Sequence, residues 1–278
     1  MENQLISEFL NTLRNSNTQT AYRVALEEFS LWYAQTNGET LDWKLLTKTE
    51  LEDYVSYLQT VKRYKPTSIY LHISAIRSLM RYSGRIPPVI KVPKQERKAI
   101  RALTPRELGK LLACAEDNPR DYAVMCLMAK AGMRVSEVVK LEVGDLELNP
   151  KSGWALIRAG KGNKNRRVPL NNEVRQALRA WLEIRPSYTP YPHVFVSRTG
   201  SPLSTRDIQR KISDFARIAN LEGEITPHVL RHTFATRFLE KNGDLASLQI
   251  ILGHSNLQTT SRYLHPSENR LMNAVEEI

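Results

Sequence analysis

The chain has 278 residues, 41% of them hydrophobic and 25% charged, a composition that excludes a fully disordered chain and gives enough length for two domains. Its 40 Lys and Arg residues outnumber its 29 Asp and Glu residues, and the net charge of +11 favours a polyanionic partner, nucleic acid before an anionic membrane surface. Two cysteines, Cys114 and Cys126, exclude a disulfide-rich scaffold and a four-cysteine zinc site. We expect buried, reduced thiols and a cytoplasmic protein without an export signal or a membrane span.

The first 90 or so residues have the apolar spacing of helices. The apolar face of the first such helix is formed by Tyr22, Leu26, Phe29 and Tyr33. A second helix opens at the capping box of Thr47 and Glu50, and a third begins at Pro66 and ends before Gly84. The pattern predicts a helical domain over residues 1–93, and the basic, apolar-poor residues 94–102 are interpreted as a linker.

A second domain is predicted over residues 103–278. Thr104 and Glu107 form another capping box, and a strongly apolar helix over residues 120–131 ends at Gly132. A hairpin is predicted next. Its two strands cover residues 154–158 and 166–170, with a glycine-containing turn between them. The remainder is mainly helix, so the predicted fold is mainly α with a small β part.

One helix start in this domain has the features of an anion-binding site. Thr226 is a candidate N-cap and Pro227 a first-turn proline, which places His228 in the first turn and Arg231 three residues further on the same face. A helix N-terminus offers N–H groups and a positive dipole end, to which these side chains add an imidazole and a guanidinium. The alternative is a surface helix with an exposed arginine. A zinc site at His228 and His232 is not expected, because neither a cysteine nor a nearby carboxylate completes a ligand set.

Two further basic groups lie in the same domain. Arg134 and Glu137 are three residues apart, so the carboxylate can hold the guanidinium in one orientation; the alternative is an exposed helical ion pair. The predicted hairpin turn carries Lys161, Lys164, Arg166 and Arg167 without an acidic residue, and the alternative is a solvated turn.

Near the end of the chain, Tyr263 lies among polar residues rather than on an apolar face. This position favours a chemical role over a packing role, and the alternative is a half-buried tyrosine.

Taken together, these motifs resemble the tyrosine recombinase (phage integrase) family. The family pattern is an arginine in an A/T-G-x-R-x-S-E stretch, a hairpin lysine, an H-x-x-R-H motif, an L-G-H motif, and a tyrosine nine residues after that histidine. In this chain the pattern falls on Arg134 with Glu137, Lys161, His228 with Arg231, His254, and Tyr263. Met133, Val135 and Arg262 depart from the commoner residues at their positions. The match covers roughly residues 104–265, and the helical N-terminal segment resembles the core-binding domain of the family more loosely. The compact length points to the two-domain branch that includes Xer recombinases and transposon resolvases.

The resemblance implies DNA strand transfer through a 3′-phosphotyrosyl intermediate and a Holliday junction. Tyr263 would be the nucleophile, Arg134 and Arg231 the phosphate clamp, His228 the base, and Lys161 the general acid. His254 would donate a hydrogen bond to the phosphate, and Glu137 would hold Arg134 from behind. No metal and no cofactor is implied.

The resemblance also implies partners. These are double-stranded DNA with specific recombination sites and further copies of the chain, as a tetramer on two sites, held together by a C-terminal oligomerisation helix. The expected additional DNA contacts are Arg77, Arg81, Arg23, Thr18 and Ser68 in the N-terminal domain and Lys164 and Arg166 in the hairpin.

Two other functional hypotheses remain open from the sequence. One is a DNA-relaxing enzyme similar to type IB topoisomerases, and the other is a catalytically silent DNA-binding regulator. The sequence leaves open the DNA target and the choice between dimer resolution, cointegrate resolution and integration on a mobile element. It also leaves open the need for accessory proteins or a second recombinase.

Overall fold

The computed structural model describes residues 2–94, 101–158, 165–241 and 244–253. The chain divides into two compact units, Met1–Lys98 and Ala99–Ile278. Both are largely helical, and the strands lie in the second unit. The predicted fold class, mainly α with a small β part, is confirmed. None of the described helices is both long enough and apolar enough to cross a membrane.

The N-terminal unit contains four described helices. These are α1 (Glu2–Thr12), α2 (Ser16–Asn37), α3 (Lys48–Thr60) and α4 (Pro66–Tyr82). The predicted capping box opens α3: the Thr47 hydroxyl accepts the Glu50 N–H, and the Glu50 carboxylate accepts the Thr47 N–H. The left-handed backbone of Gly38, with φ of 74°, ends α2. Helix α1 adds to the three helices that were predicted individually from the sequence.

The core of this unit is aromatic at one end. Leu26 and Phe29 are fully buried, as the spacing predicts, whereas Tyr22 and Tyr33 lie at the edge of the core. The Phe29 ring meets the edge of the Tyr54 ring, with centroids 4.8 Å apart. This packing joins α2 to α3.

The C-terminal unit surrounds one buried helix. Its helices are α5 (Pro105–Ala113), α6 (Pro119–Lys130), α7 (Val135–Lys140), α8 (Asn172–Ile184), α9 (Thr205–Ile218), α10 (Pro227–Glu240) and α11 (Leu245–Leu252). Every residue of α6 from Ala123 to Ala129 is buried, and the helix packs against α8 and α10. Gly132 then turns the chain with φ of 69°, which brings Arg134 to the start of α7.

A small antiparallel sheet lies beside these helices. It consists of β1 (Leu146–Leu148), β2 (Gly153–Ile157) and β3 (Arg166–Pro169) in the order β1-β2-β3. Strands β2 and β3 form the predicted hairpin, with Ile157 opposite Arg166. Strand β1 is an addition. Strand β3 begins at Arg166.

The two cysteines differ in environment. Both are free thiols, Cys126 buried and Cys114 partly exposed, so the expectation of a buried thiol is correct for Cys126 and too strong for Cys114. Burial raises the pKa of the Cys126 thiol to about 12, which keeps it protonated near neutral pH.

Candidate active site

The candidate site is built around the carboxylate of Glu137, in the first turn of α7. Its Oε2 accepts the backbone N–H of Arg134 at 2.8 Å, and its Oε1 accepts a bond from Nη1 of the Arg134 guanidinium, also at 2.8 Å. The Glu137 side chain is 9% exposed and that of Arg134 31% exposed. The carboxylate therefore holds the guanidinium from the protein side while part of Arg134 stays accessible, and the alternative of an exposed ion pair is wrong.

Arg231 reaches the same carboxylate from α10. The predicted start of this helix is confirmed, because the Thr226 hydroxyl accepts the Val229 N–H and Pro227 occupies the first turn. The Arg231 side chain is 4% exposed and its Nη1 lies 3.9 Å from Oε2 of Glu137. The alternative of an exposed surface arginine is therefore wrong. His228 lies one turn earlier on the helix and is exposed.

Arg166 is the first residue of β3, and the alternative of a solvated turn is wrong for this residue. Its Nη1 and Nη2 donate to the two oxygens of Glu137 at 2.9 and 2.8 Å, and its side chain is only 11% exposed. The acidic partner that the hairpin turn lacks comes from α7. The sequence also places Arg166 among the DNA contacts, but in the structure its three guanidinium nitrogens bond to groups of the protein.

Three guanidinium groups thus surround one carboxylate. Burial alone would raise the pKa of the Glu137 carboxyl, but the hydrogen bonds and charge of Arg166, followed by Arg134, outweigh burial and hold the pKa below its usual value. Three positive charges against one negative charge leave the cluster with a net charge of about +2 at neutral pH. Such a preorganised positive cluster can stabilise negative charge that develops on a phosphate.

Four predicted site residues lie outside the described residues: Lys161, Lys164, His254 and Tyr263. Lys161 and Lys164 belong to the chain between β2 and β3, and His254 follows Gly253 directly in the sequence. The structure brings Arg134, Glu137 and Arg231 together, with Arg166 as the member that sequence reasoning placed differently.

The expected N-terminal DNA contacts lie on two helices that pack together. Thr18 and Arg23 lie on α2, and Ser68 lies in the first turn of α4. Arg23 and Arg81 are exposed. Arg77 is half-buried and donates a long hydrogen bond, 3.4 Å, to the carbonyl oxygen of Ile90.

Comparison with known proteins connects both units to one class of protein. The model of the phage integrase family matches residues 101–270, and the model of the phage integrase N-terminal SAM-like domain matches residues 6–85. The chain is 38% identical to tyrosine recombinase XerC of Actinobacillus pleuropneumoniae serotype 7 (strain AP76), over 71% of this chain and 67% of that protein. It is 32% identical to tyrosine recombinase XerD of Staphylococcus saprophyticus (strain ATCC 15305), over 98% of this chain and 97% of that protein.

A solved structure shares the fold. The XerH site-specific recombinase, in a post-cleavage complex with a palindromic difH substrate, superposes with a TM-score of 0.74. It is 23% identical in sequence, over 92% of this chain and 78% of that chain.

A helical SAM-like unit followed by a helical unit with a small sheet and an arginine cluster defines a tyrosine recombinase. The chain belongs to the phage integrase family. It is a site-specific DNA recombinase, an enzyme that transfers DNA strands.

Proposed function

We propose that this chain cuts and rejoins DNA through a covalent link between Tyr263 and the 3′ phosphate at the cleavage site. The cluster of Arg134, Arg231 and Glu137 is the observation that carries the proposal, because it offers two guanidinium groups of controlled orientation beside one carboxylate. Arginine forms paired hydrogen bonds to two oxygens of one phosphate. The two side chains would bind the non-bridging oxygens, where negative charge increases during attack.

The proposed reaction divides its proton transfers among the remaining residues. The Tyr263 oxygen attacks phosphorus and its proton passes to His228, since a phenol with a pKa near 10 needs a base at neutral pH. The bond from phosphorus to the 5′ oxygen breaks, and Lys161 donates a proton to that oxygen. His254 donates a hydrogen bond to the phosphate. Attack by a 5′ hydroxyl of the partner strand reverses these transfers and releases the tyrosine. The covalent link conserves the energy of the phosphodiester, so the proposal assigns no step to ATP or to a metal ion.

DNA binding in the proposal combines both units with the basic residues 94–102 between them. Exposed Arg23 and Arg81 support phosphate contacts by the N-terminal unit, with Arg77, Thr18 and Ser68 close by on the same two helices. Lys164 would contact the backbone from the hairpin. Phosphate contacts give affinity that falls as salt rises, and base contacts give the choice of site. Since the substrate is DNA, we place the enzyme in the cytoplasm.

A trapping assay tests the nucleophile. Nicked suicide duplexes carrying candidate sites from DNA flanking the gene are incubated with the wild type, with Tyr263→Phe, and with Tyr191→Phe as a control at an exposed tyrosine of the same unit. We expect a covalent protein–DNA band with the wild type and the control, and none with Tyr263→Phe, while duplex binding is retained by all three. Attachment by Tyr263→Phe, or no attachment by the wild type on any site it binds, contradicts the proposal. Relaxation of supercoiled DNA that lacks a site would favour a topoisomerase-like activity instead.

Assembly is the second part of the proposal. For recombination between two sites we propose a tetramer, and the apolar positions of the C-terminal tail suit it for contact with another protomer. These are Leu271, Met272, Ala274 and Val275. Truncation after residue 266 should weaken assembly on paired sites more than binding to one site. Equal loss of both, measured by gel shift and by sedimentation on DNA, would mean that the tail packs on its own protomer.

A further inference from the structure

Arg166 is fully engaged by the protein rather than directed to solvent. It is the first residue of β3, and its Nη1 and Nη2 bind both oxygens of Glu137. Its Nε donates to the carbonyl oxygen of Ile251 at 2.9 Å. The planar fork of a guanidinium suits this arrangement, since it bonds to a carboxylate along one edge and to a carbonyl from Nε.

The carbonyl of Ile251 belongs to a series at the C-terminus of α11. Three consecutive carbonyl oxygens there accept hydrogen bonds from three arginines: Ile251 from Arg166, Leu252 from Arg231 at 2.8 Å, and Gly253 from Arg134 at 3.4 Å. The last carbonyls of a helix have no partner within the helix and carry the negative end of its dipole, so cations are favourable there. The guanidinium groups that surround Glu137 therefore also bind the end of α11.

Close packing reinforces this link. Gly253 has a left-handed backbone with φ of 64°, and a Cβ placed on it would lie 3.0 Å from Cδ, Nε and Nη1 of Arg166. The Arg166 side chain thus rests directly on the Gly253 backbone. Strand β3 and helix α11 are held at a distance that a larger residue at position 253 would increase.

We infer that Arg166 is a positioning residue of the strand-transfer reaction: by binding Glu137 and the end of α11 together, it sets the orientation in which Arg134 and Arg231 meet the phosphate. This inference rests on the function proposed above. All three guanidinium nitrogens of Arg166 bond to the protein, whereas the Arg134 side chain is 31% exposed, so we assign support to Arg166 and contact with the substrate to Arg134. Arg231, at 4% exposed, is assigned to the phosphate by the family motif and not by its exposure. Lysine cannot replace Arg166, because one ammonium nitrogen cannot reproduce the forked geometry that reaches both carboxylate oxygens and a carbonyl.

The neighbouring arginine provides a matched control. Arg167 is next in the strand, and its guanidinium pairs with Glu147 at 2.6 Å and lies over the Trp154 ring, 4.8 Å from the centroid. Its side chain is 52% exposed and Glu147 is 59% exposed. Arg167 thus lies on the same strand as Arg166, carries the same charge and also pairs with a glutamate. Its partner is Glu147, so it does not belong to the Glu137 cluster.

The first experiment measures single-turnover covalent attachment by the full-length chain on a suicide duplex, at saturating DNA. We expect Arg166→Lys and Arg166→Ala to lower the rate about 100-fold, which is the usual effect of misplacing catalytic groups by about 1 Å. DNA affinity should change less than about threefold, because phosphate contacts made elsewhere supply most of the affinity. Arg167→Ala should change the rate of attachment by less than about threefold relative to the wild type.

Two further readouts separate positioning from a purely structural effect. Methylguanidinium should restore part of the rate of Arg166→Ala, because the small cation can occupy the place of the lost side chain. The acidic limb of the pH–rate profile should also move to higher pH in Arg166→Ala, and by less in Arg166→Lys, which keeps the positive charge but loses the paired hydrogen bonds. Among the described residues, the charges facing Glu137 are Arg134 on its own helix, Arg231 on α10 and Arg166 on β3, and loss of the Arg166 guanidinium raises the pKa of the carboxyl.

The possible outcomes are distinct. A wild-type rate in Arg166→Lys overturns the inference, and so does a slow variant with an unmoved acidic limb and no rescue. If Arg166→Ala is insoluble, Arg166→Lys and its pH profile decide the question. If the wild type does not attach to DNA that it binds, the proposed function fails. That result is independent of the Arg166 variants and is therefore distinguishable from failure of the inference.

Discussion

Replacement of Glu137 by glutamine should cost the C-terminal unit a large part of its stability. The carboxylate is 9% exposed, bonds to both nitrogens of the Arg166 fork, and bonds to the backbone and side chain of Arg134. Removing one partner of a buried ion pair costs about 3–5 kcal/mol, because the remaining charge is left without compensation. Glutamine keeps the shape and one acceptor oxygen, so we expect about 3 kcal/mol, the lower end of this range. For a unit of this size, such a loss lowers the melting temperature by about 6–12 °C.

The control is another glutamate paired with a hairpin arginine. Glu147 pairs with Arg167 at 2.6 Å, but both side chains are more than half exposed, so Glu147→Gln should cost less than about 1 kcal/mol. Urea titrations of the wild type and both variants at pH 7.5, followed by circular dichroism, give the free energies of unfolding. Similar losses in the two variants would refute the argument that the Glu137 cluster is held by buried charge.

The pH dependence of stability gives a second test of the role of Glu137. The pKa of Glu137 is depressed in the folded chain, so its contribution to stability is present above the ordinary glutamate pKa of about 4.3 and is lost as the pH falls through the folded value. Glutamine does not titrate. The difference in stability between the wild type and Glu137→Gln should therefore shrink as the pH is lowered below about 4.3. A difference that stays constant down to acid unfolding would contradict the assignment.

Three further predictions test other parts of the fold. Burial lowers the pKa of His72, the one histidine in the sequence of the N-terminal unit, so that unit should lose stability as the pH falls below about 6.5; hydrogen exchange in α3 and α4 at pH 7.5 and 5.5 measures the loss. Thr104→Ala removes the cap of α5 and should cost about 1 kcal/mol in urea titrations, with recovery in Thr104→Ser. Gly132→Ala would place a Cβ in steric overlap with the Phe234 ring and the Leu252 side chain. It should lower the melting temperature in calorimetry more than Gly84→Ala does, since Gly84 has a similar φ but open space around it.

The helix boundaries could be predicted because their causes are local. Thr47 with Glu50 and Thr104 with Glu107 each satisfy backbone N–H groups within four residues, so the sequence window contains the whole interaction. Strand β1 was missed for the opposite reason. Its three residues, Leu146–Leu148, are too short to show a period of two, and they become a strand because β2 lies alongside.

The same distinction runs through the candidate site. The pairing of Arg134 with Glu137 is local and could be predicted from a spacing of three residues, and the conformation of the start of α10 follows from Thr226 and Pro227. The partner of Arg166 lies 29 positions earlier in the chain, on a different element. Within the hairpin alone, a basic residue in a turn without an acid indicates a solvated charge, and that inference is sound until the fold brings α7 beside β3.

The contrast between local and long-range pairing determines which site residues a family motif can reveal. In the proposed reaction Arg134 and Arg231 contact the phosphate, whose geometry constrains both residues, so the resemblance identifies them from sequence motifs. A supporting residue is constrained only by the groups it supports, and Arg166 supports a carboxylate and a helix end that come together through tertiary packing. In the proposed reaction, Arg166 bonds to both oxygens of Glu137, so this carboxylate would attract Arg134 and Arg231 less strongly and leave them more available to the phosphate. By this inference, an arginine at the start of β3 controls the reactivity of two others without contacting DNA.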